Sequence, residues 1–525
     1  MKKKLIALLL IIVMSLSLLA CNKSEPPANS QAPATDSQAP ATDAQPPANQ
    51  GAPVVVNSAW YQFPNSLDPV MEDIAVVNYM VYQVYDRLVK FDPDSNDWLP
   101  GIAKSWERVG TRSWTFDIDL SYKFHNGDQL TMDDIVFSIE RLKDIPKQAD
   151  VANLLESISY EGNTLTLVGV NEDSSIAHRI LTVAVIVNKK YVESGGDEAL
   201  FSKPIGTGPY VVTEFTPGNS CSLQLWEDYP FTKPKIDQLN YTFIPETATR
   251  YMAIETGSIQ FSTQFTPLEL AMAADDPNLS TLVVQTRLIY LLFCNTEVKP
   301  FDNVNVRRGL VYAFNREGFC SLAGGKVAYE TPLFCGYDDL AYTSPNLPTF
   351  DLAKAKEILA QEGYDESNPL EFTLTVNSTL DPGLEMYQSD LKQIGVTMNV
   401  EVLEFSVFLA TEGSGNFEMI YTPNRNNGDC AVGDLDRFDW NFFGSRNNSR
   451  YSNPEAQTLI EAMRVENDQA KLKQMAIELQ DIIQYDVPMV AVYLNTSNNI
   501  FDSRLTGIVV DRNGIVNYRN ASFSG

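Results

Sequence analysis

The sequence predicts an α/β protein built from at least two lobes. Three observations carry this. Strand-like and helix-like periodicities alternate through most of the chain. Roughly 470 of the 525 residues follow the N-terminal leader and tether, whereas a single core stops growing at about 250–300 residues. After the leader no apolar run is long enough to span a bilayer, and a charged fraction of 20% with 44% hydrophobic residues is ordinary for a globular protein.

The leader comes first. Lys2, Lys3 and Lys4 precede an apolar stretch from Leu5 to Leu19, closed by Ala20 and Cys21. A basic start, a short apolar segment and a small residue before a cut site read as a secretory signal peptide over 1–20. The apolar run falls short of the roughly 18–20 residues a spanning helix needs. Residues 21–53 then carry QAPATD twice, at 31–36 and 38–43, with no aromatic residue. Such a stretch buries too little apolar surface to offset its ordering entropy, so it is expected to be a disordered tether.

The body follows in order. Val54–Val56 is a strand signal, and Trp114–Leu120 alternates as a half-buried strand does. Thr131 opens a helix to Lys143, with Asp134 at capping-box spacing and Ile135, Ile139 and Leu142 on one face. Strands are predicted at 164–170, 210–215, 221–226 and 239–244. Asp351 caps a helix over 352–362, stopped by Gly363, and Asn453-Pro454 opens another. Leu472, Met475, Leu479 and Ile482 mark a helix over 467–484, and strands fall at 370–376, 396–403 and 488–494. No repeat of 20–50 residues is apparent.

Composition and motifs exclude several functions. The formal net charge is −28, and loss of the leader lysines deepens it by three. That field repels phosphate backbones and anionic headgroups, so nucleic acid and bare lipid surfaces are not expected partners. His125 and His178 stand alone, and Cys221, Cys294, Cys320, Cys335 and Cys430 form no C-x-x-C pair, so no metal site is expected. The five cysteines read either as buried thiols or as disulfides, with Cys320–Cys335 and Cys294–Cys430 as the pairs to consider. His125, in the turn Lys123-Phe-His-Asn-Gly127, is expected to face solvent. Ala323-Gly-Gly-Lys-Val327 lacks P-loop spacing, Gly206-Thr-Gly208-Pro is not a dinucleotide fingerprint, and no G-x-S-x-G is present. The chain is expected to be no enzyme, with no catalytic residue and no cofactor, and to act as a monomer.

Several blocks resemble bacterial extracellular solute-binding protein family 5, the receptors of peptide, dipeptide and nickel ABC importers. Leu18-Leu19-Ala20-Cys21 is similar to a lipobox. Leu67-Asp68-Pro69, then Leu99-Pro100-Gly101 with Trp106-Glu107, Trp114-Thr-Phe116, Lys123–Gly127 and Thr131–Leu142 follow that family's order. Pro204–Tyr210, Pro300–Arg308 with Ala313–Glu317, Ala353–Leu359, Leu391–Val396 and Tyr451–Glu455 continue it.

The resemblance implies a two-lobed periplasmic-binding-protein-like fold of type II, cluster C, with a subdomain inserted in lobe I. Lobe I takes 54–75, 181–265 and 495–525, the insertion 76–180, and lobe II 266–494. It implies lipidation at Cys21 and an extracytoplasmic place on the cell membrane. It further implies capture of a small solute, a peptide first, by lobe closure and delivery to an ABC permease whose ATPase supplies the energy. By position, Trp60, Tyr61, Gln62, Gln264, Phe265 and Phe405 line the cleft. The family's Gly-Trp-x-x-Asp loop, whose aspartate pairs with a peptide's amino group, is altered here: Asn427 falls at the aspartate's place, Asp429 lies two residues on, and Arg425 stands nearby to meet a carboxylate or hydroxyl-rich ligand. Two alternatives keep the fold: a surface sensor or adhesion protein that binds a partner protein, and a receptor for an oligosaccharide or metal chelate.

Overall fold

The structure is a computed structural model that describes residues 52–69, 75–92, 97–144, 152–173, 175–195, 198–324, 326, 328–334, 337, 339–377, 381–425 and 431–524. Residues 52–525 make one compact unit. The predicted leader, Cys21 and nearly all of the tether lie outside the described residues.

β1 (Val55–Trp60) starts the main sheet. β2 (Val89–Asp92) and β3 (Asp97–Pro100) form a ribbon, and β4 (Ala103–Val109), β5 (Ser113–Ile118), β6 (Leu155–Glu161) and β7 (Thr164–Gly169) form a separate sheet in the order β4-β5-β7-β6. β8 (Tyr210–Thr216), β9 (Ser220–Leu225), β10 (Gln238–Phe243) and β11 (Phe261–Thr263) return to the main sheet. β12 (Leu279–Cys294), β13 (Glu371–Asn377), β14 (Thr397–Leu403), β15 (Met419–Arg425) and β16 (Met489–Asp502) complete it. Its order is β14-β13-β15-β12-β16-β11-β1-β10-β9-β8. Each half has a parallel group, β10-β1-β11 and β14-β13-β15, and the long antiparallel pair β12 and β16 joins them.

Both joining strands change character midway. The register of β12 against β16 slips between Gln285 and Ile289. Before the slip β12 alternates half-buried and exposed residues; after it both faces are covered. Leu292 and Cys294 enter one core with Phe301, Leu374 and Tyr387. Ile289, Leu291 and Phe293 enter another with Phe438, Ile460 and Leu479. The other half has its own core around Val56, Trp60, Tyr241, Phe261 and Tyr518. The four-stranded sheet encloses a further one, with Phe116, Phe124, Ile135, Leu165 and Ile180.

These cores differ from the expected lobe boundaries in two places. Val77, Tyr79, Met80 and Val84 pack with Trp60 in the first half's core, so the insertion's own core begins at Leu88 and runs to Ile186. Ala273 and Leu279 pack with Ala59 and Tyr251, so 266–285 goes with the first half and not with lobe II. Along β12 the chain passes from residues packed with the first half to residues packed in the second half's cores.

Most predicted elements are found within a residue or two. Thr131 and Asp134 form the capping box of the helix Met132–Glu140. Two strands differ. β16 runs eight residues past the predicted 494 because Asn495, Ser497 and Asn499 are accommodated in the sheet: Asn499 donates to the Leu282 carbonyl at 2.9 Å and Asn498 to that of Phe265 at 2.8 Å. β12, the longest strand, escapes pattern reading because its alternation breaks at the slip.

His125 departs from expectation. It is no solvent-facing turn residue: its Nε2 lies 2.9 Å from the Gly208 carbonyl, and the Gly206 N–H approaches Nδ1 at 3.3 Å. This is the bonding of a neutral ring with its proton on Nε2. Burial pushes its pKa down to about 4, against the raising effect of the Gly208 bond and Asp86. The two glycines are needed there. A Cβ on Gly206 would stand 2.0 Å from the Val84 carbonyl oxygen, and one on Gly208 2.6 Å from that of Gln83.

Candidate ligand-binding site

The structure scatters the sequence-derived site residues. Trp60 is fully buried, stacked on Tyr79 at 4.1 Å and flanked by Tyr241 and Phe261. It belongs to the core because β1 is a central strand covered on both sides. Tyr61 follows it, half-buried, and Gln62 is exposed. Gln264 leaves the same end of the sheet, since β11 runs parallel to β1. Its φ of +60° is a left-handed conformation uncommon outside glycine, and strain of this kind collects at functional sites. The Arg250 guanidinium donates to the Gln264 carbonyl at 3.4 Å. Phe265 is 3% exposed and set edge-on to Tyr251. Phe405, 57% exposed, starts the helix Phe405–Ser414. Arg425 ends β15 opposite Leu288, beside the register slip, and is described for its backbone alone. Asn427 and Asp429 lie outside the described residues, as do Cys335 and Cys430. Cys221, Cys294 and Cys320 are buried free thiols.

The slip itself holds a constellation that no local pattern announces. Tyr290 of β12 stacks on Tyr493 of β16 at 4.6 Å and lies 5.6 Å from Tyr421 of β15. The Tyr421 hydroxyl donates to Asp381 Oδ2 at 3.3 Å, while Asp381 Oδ1 caps the helix Pro382–Gln393 through the Gly383 N–H at 3.0 Å. On the other side Lys326 Nζ donates to Asn495 Oδ1 at 3.1 Å and Thr496 Oγ1 at 3.3 Å, 6.0 Å from the Tyr493 ring. Tyr61, from the first half, is within electrostatic reach of Tyr290.

Tyr61, Tyr290, Lys326, Asp381, Asn495 and Thr496 are all half-buried. Burial raises the Asp381 carboxyl above its ordinary pKa, against the Gly383 and Tyr421 bonds and the Lys326 charge. Burial likewise lowers Lys326, with Asp381 opposing. Asp381 and Lys326, of opposite charge and both partly desolvated, thus stand beside a cluster of three tyrosines where β12, β15 and β16 meet. The tyrosines come from three separate strands and Asp381 from a helix start, and none of them was singled out in the sequence.

A second space, a cavity of about 370 Å³, lies between 82–99 and 509–520 with the Asp86–Arg519 ion pair in its wall. It holds none of the sequence-derived residues. Among the described residues no group of three His, Cys, Asp or Glu is placed to hold a metal ion, and no helix is long and apolar enough to cross a membrane.

Two sheet halves joined by paired crossing strands, with a polar cluster at the crossing, make a periplasmic-binding-protein-like fold. The chain belongs to the bacterial extracellular solute-binding proteins, family 5, whose profile matches residues 97–450. It is 24% identical to the dipeptide-binding protein of Escherichia coli K12, over 84% of this chain and 89% of that protein. It is 26% identical to heme-binding protein A of Haemophilus influenzae, over 84% and 87%. The fold matches the dipeptide binding protein of Pseudoalteromonas sp. SM9913, solved with Met-Leu, with a TM-score of 0.77 at 22% identity over 90% of this chain and all of that one. Family members bind solutes outside the cytoplasm and hand them on to transport.

Proposed function

We propose that this chain is the peptide receptor of an ABC importer, moored by lipid on Cys21 after its signal peptide is removed. A short peptide enters between the halves, and closure follows because the guest touches both walls only when they meet. The closed form then docks on a permease, and no bond in the peptide is made or broken. The moving parts are a first lobe with its inserted subdomain, whose own core runs from Leu88 to Ile186, and a second lobe. The pivot is the crossing at Gln285–Ile289 and Asn495.

The observation that carries this reading is the cluster at that crossing, with Tyr290, Tyr421 and Tyr493 beside the opposite charges of Asp381 and Lys326. The dipeptide names of two relatives support peptide as the guest. Gln264 and Tyr61 supply the first lobe's wall. The test is to purify the protein natively, unfold it and weigh what it releases by mass spectrometry. Short peptides are expected. An oligosaccharide or metal chelate as the dominant released species overturns the peptide reading.

A further inference from the structure

We infer that the cavity of about 370 Å³ between 82–99 and 509–520 is a second binding site, for a small organic acid whose carboxylate meets Lys90 and whose apolar body lies against Trp98, Val509 and Ile515. The site shares no residue with the cluster at the crossing, and its assignment is independent of the peptide reading above.

The cavity forms where two bodies meet. Val89 and Trp98 belong to the insertion's core, whereas Tyr85 and Ile515 belong to the first half's. The ribbon β2–β3 makes one side, and the short antiparallel pair Val509–Val510 and Val516–Asn517 makes the other. Packed cores leave few voids larger than a water molecule. A space of this size falls instead in the roughly 300–1,000 Å³ range of ligand pockets.

The polar groups of the wall decide the guest. Arg519 is engaged: it pairs with Asp86 at 2.6 Å and donates to the Tyr82 and Tyr85 carbonyls at 2.9 and 3.1 Å. Asp511 Oδ1 is engaged within its own turn, where it accepts from the Asn513 and Ile515 N–H groups, both at 2.8 Å. The Asn517 side-chain oxygen accepts from the Arg519 N–H at 2.9 Å, which leaves its amide N–H groups to donate. Lys90 makes no hydrogen bond or ion pair with any described residue. As a residue it is exposed, but burial around its ammonium lowers its pKa against the pull of Asp86, and the Arg519 charge lowers it further. What the wall still offers is therefore donors. A carboxylate, which only accepts, completes them with charge-assisted bonds.

The rest of the wall suits an apolar body. Leu99 and Val509 are 47% and 39% exposed at the cavity, and a guest that covers them removes apolar surface from water. The net charge of −28 repels anions at long range. A Debye length of about 8 Å at physiological ionic strength leaves the local charges to decide. A guest held there touches both bodies, braces the insertion on the first half, and raises stability with its concentration.

The test is calorimetry and thermal unfolding of the purified chain with phenylacetate and 4-methylpentanoate, each against its primary amide. The acids are expected to bind and to raise the unfolding midpoint, and the amides to bind about 10-fold or more weakly, as loss of a hydrogen bond to a charged group requires. Lys90→Met is expected to erase the acids' advantage. Val509→Trp, which fills the space from its rim, is expected to abolish binding. Backbone amide NMR of the wild-type chain locates the guest, with shifts expected at Lys90, Val509 and Asn517. Absence of binding by both acids, equal binding of acids and amides, or shifts gathered at Gln264 and Tyr290 instead overturns the inference. So does a Lys90→Met protein that still prefers the acids, or a Val509→Trp protein that binds them as wild type does. The wild-type measurements need no variant to fold and no bound peptide.

Discussion

Arg179 and Asp436 are 257 residues apart in the chain, yet the guanidinium donates to the carboxylate at 2.7 Å with both side chains 1% exposed. Arg464 reaches the same oxygen at 2.7 Å and also bonds Asp439 at 2.9 Å and Asp173 at 3.2 Å. Burial alone would push the Asp436 carboxyl up; the Arg179 and Arg464 guanidiniums more than cancel it and hold it below the usual carboxylate range. Asp173 and Arg179 flank and enter the helix Ile176–Val183 of the four-stranded sheet's core, whereas Asp436 and Arg464 lie beside the core of the second half. The network ties those two bodies together, and rotating them apart would expose it.

Arg179→Met removes one of the guanidiniums that compensate Asp436 in a dry place. Breaking a buried pair costs about 3–5 kcal/mol, while replacing both partners by apolar groups costs far less. Urea unfolding of Arg179→Met is expected to fall in that range, and Arg179→Met with Asp436→Leu to recover part of it. A single variant as stable as wild type contradicts the assignment.

Trp60 and Phe405 are opposites. Trp60→Ala empties a closed, aromatic-lined place and is expected to cost about 3–5 kcal/mol. Phe405→Ala removes an open side chain and is expected to stay within about 0.5 kcal/mol. Thermal and urea unfolding of the two variants check this contrast.

His125 gives acid sensitivity. Its folded pKa of about 4 lies below the ordinary 6.5, so the unfolded chain binds more protons between those values. The stability it contributes is present above about 6.5 and is lost as pH falls toward 4. Carbon-13 NMR titration of the ring should find it neutral at about pH 5. An ordinary midpoint contradicts the buried, doubly bonded ring.

Glu412 has the opposite sign. Burial pushes its carboxyl up to about 7, against the Asn448 bond. The folded state therefore binds more protons between 4.5 and 7, and stability falls as pH rises through that window. Glu412→Gln keeps the Asn448 contact and is expected to raise stability at about pH 8 by on the order of 1–2 kcal/mol, with little change at about pH 4. Denaturant unfolding at the two pH values measures it.

Much of the fold was legible because local signals agree with it. Caps at Thr131, Asp351 and Asn453 start helices where expected. The family's blocks prove to be joints between distant segments. Asp68 of Leu67-Asp68-Pro69 pairs with Arg141 of another block at 2.5 Å, and His125 clasps Gly206 and Gly208 of a third. Such residues identify the scaffold and say little of the ligand. A tryptophan at a strand end, as Trp60 is, reads alike as core or as wall, and its burial follows from the sheet order, with β1 between β11 and β10. The cluster was illegible because strand order brings Tyr290, Tyr421 and Tyr493 together across a register slip that also hides β12, and Lys326 and Asp381 join them from segments outside the sheet.

The central claim is capture by closure, and small-angle X-ray scattering with and without a saturating dipeptide tests it most directly. The radius of gyration is expected to shrink on binding while the peptide is recovered intact. Superimposable curves at a concentration where calorimetry shows full occupancy would contradict it.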